Sequence, residues 1–285
     1  MDASDWAELD AAEQYRARVH ALAATTRQHI AFSHAAAVVL LGYPWIGPWP
    51  DRVDATAIGE RGRSTTLMRL HAGPLEDVAS MDGLLITSIA RTVIDVARHW
   101  PLETSVALAD AVLAGRLADG SLVAPLDPEL LDRELAGVPL RSGAARARVA
   151  IKLANGLSGS PGESLSRVTM LRAGIPEPVL QQRFELPGGR IAFSDFYWPE
   201  WDVLGEFDGV GKYLRDPQGR SPGEVVVDEK RREDALRSLH HSFARWGWSE
   251  ARSVPALRAT VGATGIPIRP NAVSSTVRWY EPARR

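Results

Sequence analysis

The sequence predicts an α+β protein, and three observations predict it. The chain has 285 residues, a length for two domains of ordinary size or one large one. Apolar residues make up 45% and charged residues 24%, the proportions of a chain that buries a core rather than one that stays disordered. Helix-like and strand-like runs fall into two sets. The first is a helix, a small sheet and more helices; the second runs helix, three strands, helix, strand, helix.

The first set spans residues 1–118. Residues 6–29 read as a helix, with Tyr15, Val19 and Leu22 at i, i+4 and i+7. In "SHAAAVVLLG", Ser33 stands to cap a short apolar helix and Gly42 to end it. "RVDATAIG" and "STTLMRLHAG" are β-like. "VASMDGLLITS" reads as a strand pair around Asp82-Gly83, a favoured turn dipeptide. The helices "SIARTVIDVARHW" and "LETSVALADAVLAGRL" close this part. Residues 119–158 read as a helical linker ending in a Gly/Ser/Pro tract, with a domain boundary near Ser158.

The second set spans residues 159–262, followed by a tail over 263–285. "GESLSRVTMLRAG" is a helix with Glu163 in its first turn and Gly174 as its stop. "VLQQRFEL", "IAFSDFYWP" and "WDVLGEFDG" are strands. "VVVDEKRREDALRSLHH" ends as a charged helix, "SFARWGW" is strand-like, and "SEARSVPALRATVG" is a final helix despite Pro255.

Composition removes several functions. No cysteine is present, which excludes disulfides, thiolate metal sites and thiol catalysis. No run of about 18 apolar residues occurs, so no membrane span is expected. The acidic start "MDASDWAELDAAEQY" has no apolar core of a secretory signal, and the expected location is the cytoplasm. The net charge is −2. Residues 1–155 hold 15 Lys/Arg against 19 Asp/Glu, net −4, and the remaining 18 against 16 give net +2. The second part is mildly basic, which is not by itself the signature of nucleic-acid binding.

Chemistry concentrates in the carboxylates of "FSDFYWPEWDVLGEFDG". Glu206 and Asp208 stand two apart on a strand and share a face. If the two acidic strands pair, Asp195 lies beside Glu206. Such oxygen ligands suit Mg²⁺ or Mn²⁺, which polarises a phosphoryl oxygen and activates water. Lys212 is placed to face a phosphate, and Glu163 is placed to add a fourth carboxylate. The alternatives are ion pairs of these acids with Lys212, Lys230 or Arg231, and Glu163 as a first-turn helix acid.

This order of elements resembles the PD-(D/E)XK nuclease fold, and within it the small domains related to the very-short-patch-repair endonuclease. The carriers are Glu163 in "GES", Asp195 in "FSDF", Glu206 and Asp208 in "GEFDG", Lys212 in "GKY", and "DEKRREDALRSLHHSFARWGW". The resemblance covers about residues 160–260. It implies an α-β-β-β-α-β core, a Mg or Mn cofactor on Asp195, Glu206 and Asp208, and hydrolysis of a phosphodiester, in DNA more than RNA. The third position of the box is Asp208 rather than lysine, which leaves Lys212 or Lys230 to supply the cation.

The first part, in "FSHAAAVVLLGYP", "MDGLLITSIARTVIDVAR" and "ALADAVLAGRL", is similar to the middle region of actinobacterial AbiEi-type antitoxin-like regulators. There a winged helix usually precedes this region and a nuclease-like domain often follows it. This chain starts at about the point where that winged helix ends. The resemblance implies a cognate toxin-like partner. It also keeps open a non-catalytic regulator that uses a degenerate nuclease fold as scaffold.

Among the remaining residues, Lys230, Arg231 and Arg237 read either as a DNA-contacting face or as a salt-bridged, solvated helix. His34 and His71 read as structural histidines. Trp246 and Trp248 read as core residues sharing a strand face, and Trp198 and Trp201 as a turn where base stacking is conceivable.

Overall fold

The computed structural model describes residues 3–26, 29–57, 64–73, 78–139, 143–186, 189–209 and 242–269. It is an α+β protein of two compact units, Met1–Gly156 and Leu157–Arg285. Of the region expected as a linker, 119–158, all but the last two residues fall in the first unit.

The first unit opens with α1 (Ala3–Glu8) and α2 (Ala11–Thr25). They separate because Asp10 forms a capping box with Glu13, so the single helix expected over 6–29 starts afresh at Ala11. β1 (Ile30–Phe32) follows, a fully buried strand too short to show a period in the sequence. Next come α3 (His34–Leu40), β2 (Val53–Ala57), β3 (Met68–Ala72), β4 (Val78–Met81) and β5 (Leu84–Thr87). The sheet order is β3-β2-β1-β5-β4. β4 and β5 form the expected hairpin, and Asp82 and Gly83 both take positive φ, 50° and 78°. That is the two-residue turn whose twist matches its strands.

α4 (Ile89–His99), α5 (Leu102–Ala114), α6 (Pro128–Ala136) and α7 (Ala144–Leu153) complete the unit. Tyr15 and Val19 of α2 pack with Phe32, Ala36, Val39 and Val53 into one core. Val93, Val96, Leu108, Val112 and Leu131 form a second between α4, α5 and α6. Each fully buried aliphatic side chain contributes about 1.5–3 kcal/mol.

The second unit consists of α8 (Pro161–Ala173), β6 (Val179–Glu185), β7 (Ile191–Trp198), β8 (Val203–Phe207), β9 (Ser242–Trp246), α9 (Trp248–Ala251) and α10 (Val254–Gly262). The sheet order is β6-β7-β8-β9, with the first two pairings antiparallel and β8–β9 parallel. A parallel partner requires a crossover. The segment that supplies it, with the expected charged helix, lies outside the described residues.

One face of β7, β8 and β9 carries Phe196, Trp198 and Trp246, all buried. Gly205 sits between the two indoles: a Cβ there would come within 2.8 Å of Trp246 and 2.9 Å of Trp198. Trp246 donates its indole N–H to Ser166 Oγ (2.9 Å), tying β9 to α8. Trp198 is core and donates to the Pro176 carbonyl (2.8 Å), so it is not at a stacking surface. Trp248 is not on the strand: β9 ends at Trp246, and Trp248 opens α9 with its ring edge-on to Phe207. The helix expected over 249–262 is two helices, because Ser253 caps a new one with Pro255 in its first turn.

Candidate functional site

The carboxylates of the second unit converge through backbone geometry rather than through a single strand. Ser160 caps α8, accepting from the Glu163 N–H (3.3 Å), which puts Glu163 at the third helical position. Its side chain folds back over the helix start. Oε2 accepts from the Gly159 N–H (2.7 Å) and Oε1 from the Ser160 hydroxyl (2.9 Å). A carboxylate there also faces the positive end of the helix. Glu163 is 2% exposed, and a carboxylate so buried requires donors. Gly162 is what lets this turn approach the sheet, because an added methyl would overlap the Phe207 ring.

Asp195 lies on β7, on the face opposite Ser194, Phe196 and Trp198. Its Oδ2 accepts from the Phe207 N–H (3.0 Å). Its Oδ1 and Oε2 of Glu163 are bridged by one donor, the side-chain amide of Gln181, at 3.3 and 2.9 Å. Gln181 is on β6 opposite Asp195. Leu180 pairs with Phe196 and Gln182 with Ser194, while the ladder is interrupted between them. The cause is local: Gln181 has φ +48°, a left-handed conformation for a residue that is not glycine.

Glu206 is 4% exposed on β8. Phe196 pairs with Gly205, so one step further along the same register sets Asp195 against Glu206. On the other side Glu206 pairs with Arg245 of β9, whose guanidinium lies 3.6 Å from Oε2. Asp208 follows the strand end, half-buried, with its N–H donating to the Trp246 carbonyl (2.8 Å).

The structure therefore brings Glu163 and Asp195 onto one amide and places Glu206 next in register, with Asp208 beyond the strand. Lys212, Lys230, Arg231 and Arg237 lie outside the described residues. Among the described residues, no group of three or more His, Asp or Glu side chains forms a metal-sized cluster. The donor set nonetheless fits a hard cation, since Mg²⁺ commonly takes one or two carboxylates and fills its remaining positions with water and phosphate. Gln181 was missed by sequence reasoning. The one trace of it is the polar pair Gln181-Gln182, which breaks the apolar alternation of "VLQQRFE".

A second buried polar cluster lies in the first unit. Asp54 is fully buried, and its Oδ1 accepts from His71 Nε2 (2.8 Å) and faces Arg69 (3.6 Å). The His71 ring stacks on His34 at 3.8 Å between centroids. His34 Nε2 is 3.3 Å from His99 Nδ1, and His34 Nδ1 is 3.0 Å from Ser33 Oγ. Beside them Asp95 is buried and pairs with Arg91 (2.8 Å) and Arg98 (3.2 Å). His34 and His71 are thus satisfied by partners, and those partners come from distant positions. Burial, and then the neighbouring His71 and His99, hold the His34 imidazole well below its ordinary range. Burial also lowers His99.

Among the described residues, no helix is long and apolar enough to cross a membrane. No family model matches the chain, and no solved structure matches it. It is similar to two curated proteins of Mycobacterium tuberculosis, the uncharacterized proteins MT2308 (strain CDC 1551 / Oshkosh) and Rv2248 (strain H37Rv). Each is 28% identical over 189 residues, covering 61% of this chain and 67% of the relative.

Proposed function

We propose that the second unit is a divalent-metal-dependent nuclease acting on nucleic acid in the cytoplasm, DNA more than RNA. The observation that carries this reading is the placement of three acids from three elements of one core. Glu163 comes from the helix, Asp195 from the second strand and Glu206 from the third. The described order of one helix and three strands, with a fourth strand parallel to the third, is compatible with the α-β-β-β-α-β order that the nuclease resemblance implies.

Asp195 and Glu163 would hold Mg²⁺ or Mn²⁺, with Glu206 and Asp208 beside them. The cation, when bound, would polarise the scissile phosphate and lower the pKa of an attacking water. The chain's own part is to fix the carboxylates. The Phe207 N–H orients Asp195, and the α8 cap orients Glu163. The Arg245 guanidinium partly neutralises Glu206. Lys212 would face the phosphate. The first unit would bind nucleic acid or a cognate toxin-like protein. The second reading, a regulator with a silent nuclease scaffold, is favoured by one observation: donors already occupy carboxylate oxygens of both Glu163 and Asp195.

Incubating the full chain with supercoiled plasmid, single-stranded DNA and RNA in Mn²⁺ separates the two readings. The nuclease reading expects nicking or cleavage that EDTA stops. Glu206→Ala should reduce it about 100-fold or more while the protein stays folded, the scale of losing several kcal/mol of transition-state stabilisation. No cleavage of any substrate would leave the scaffold reading.

A further inference from the structure

We propose that Gln181 is the positioning residue of the Glu163–Asp195 pair, and that its side-chain carbonyl supplies a third oxygen to a divalent cation held there. The inference rests on the metal-dependent reading above and adds to it a residue that none of the acidic motifs contains.

The first observation is the backbone. Gln181 is a non-glycine residue at φ +48° within a strand, and it interrupts the β6–β7 ladder opposite Asp195. Such conformations persist where the surroundings over-determine them, and they gather at binding and catalytic sites. The consequence is local: the conformation places the Gln181 amide within reach of two acids from different elements.

The second observation is what that side chain holds. One atom, Nε2, lies 2.9 Å from Glu163 Oε2 and 3.3 Å from Asp195 Oδ1. Two carboxylate oxygens from different elements thus converge on a single positively polarised atom. Each acid is also held by groups that Gln181 does not supply. Gly159 N–H and Ser160 Oγ hold Glu163, and Phe207 N–H holds Asp195. A cation can therefore replace the amide nitrogen without dismantling these supports.

The third point is the chemistry of the carboxamide. A half-turn about its last side-chain bond exchanges the NH₂ for the C=O at nearly constant volume, turning a donor toward the carboxylates into an acceptor toward a cation. Two carboxylates and one carboxamide oxygen make a hard-oxygen set suited to Mg²⁺ or Mn²⁺. With the cation absent, the same amide shields the two carboxylates from each other.

The test is Mn²⁺ titration of the full-length protein, with free Mn²⁺ read by electron paramagnetic resonance, for wild type, Gln181→Gly, Gln181→Asn and Gln181→Glu. Glycine accepts the left-handed backbone, so Gln181→Gly removes the amide without adding strain. Asparagine also tolerates it, and serves if the glycine variant fails to fold. Circular dichroism and the urea midpoint verify folding. The inference expects Gln181→Gly and Gln181→Asn to weaken Mn²⁺ binding at least tenfold with the fold intact, and Gln181→Glu to bind at least as tightly as wild type. Unchanged or tighter binding by Gln181→Gly overturns the role given to Gln181 and leaves the cation site standing. No Mn²⁺ uptake by folded wild type overturns both.

Discussion

Asp195→Ala is expected to remove Mn²⁺-dependent cleavage and to destabilise the second unit, while Asp195→Asn restores only the stability. The split follows from the two tasks of this side chain. Its Oδ2 accepts the Phe207 N–H at the end of a buried strand, and its Oδ1 accepts from Gln181. Alanine leaves both donors without this acceptor, at a cost of about 1–3 kcal/mol. Relief of repulsion from Glu206, the next residue in register, offsets part of that. Asparagine can still accept from Phe207 through its carbonyl, so its urea midpoint should approach wild type. It carries no charge, and its cleavage should stay at least about 100-fold down, the scale of several kcal/mol of lost metal-borne stabilisation. Asparagine restoring cleavage together with stability would show that the charge has no role.

The second large effect belongs to the first unit and to pH. His34 is 2% exposed and stacked on His71, with His99, Arg91 and Arg98 opposing its protonation. Arg69 and the carboxylates of Asp54 and Asp95 stand in the same cluster. In the unfolded chain its imidazole returns to about 6.5. The folded value is lower, so between the two the unfolded state binds the extra proton. Stability is full above about pH 7 and falls as the pH drops below the unfolded value, by about 1.4 kcal/mol per pH unit for this one group. The loss continues until the lower folded value is passed. Hydrogen exchange of peptides covering residues 30–57, corrected for intrinsic rate, should show the opening free energy falling from pH 7 to pH 5.5. His34 also has φ +52°, which asparagine tolerates, so His34→Asn should fold and flatten that slope. An equally steep slope in His34→Asn would move the effect to other groups.

Much of the fold was legible in the sequence because local signals and burial agree. The Asp82-Gly83 turn, Glu163 in the first turn of its helix, and the Gly174 stop each follow from a local signal, and the structure adopts them. β1 escaped because three residues carry no period. The division of α1 from α2 was carried by Asp10 and Glu13, a capping signal inside an otherwise continuous helical pattern.

The candidate site was legible by residue type and less so by arrangement. Asp195, Glu206 and Glu163 announce themselves as acids among apolar residues. Nothing in their spacing says that Glu163 and Asp195 share one amide, because that depends on the φ of Gln181. The histidine cluster was hidden for a related reason. His34, His71 and His99 come from a helix start, a strand and a helix end, far apart in the chain, and meet only when those elements pack.

The most direct test of a metal-holding second unit is calorimetric titration of Mn²⁺ into the full-length protein and into Asp195→Ala/Glu206→Ala. The account predicts saturable binding by the wild type that the double substitution abolishes while the protein remains folded. A well-folded wild type that takes up no Mn²⁺, or a double variant that binds as the wild type does, would contradict it.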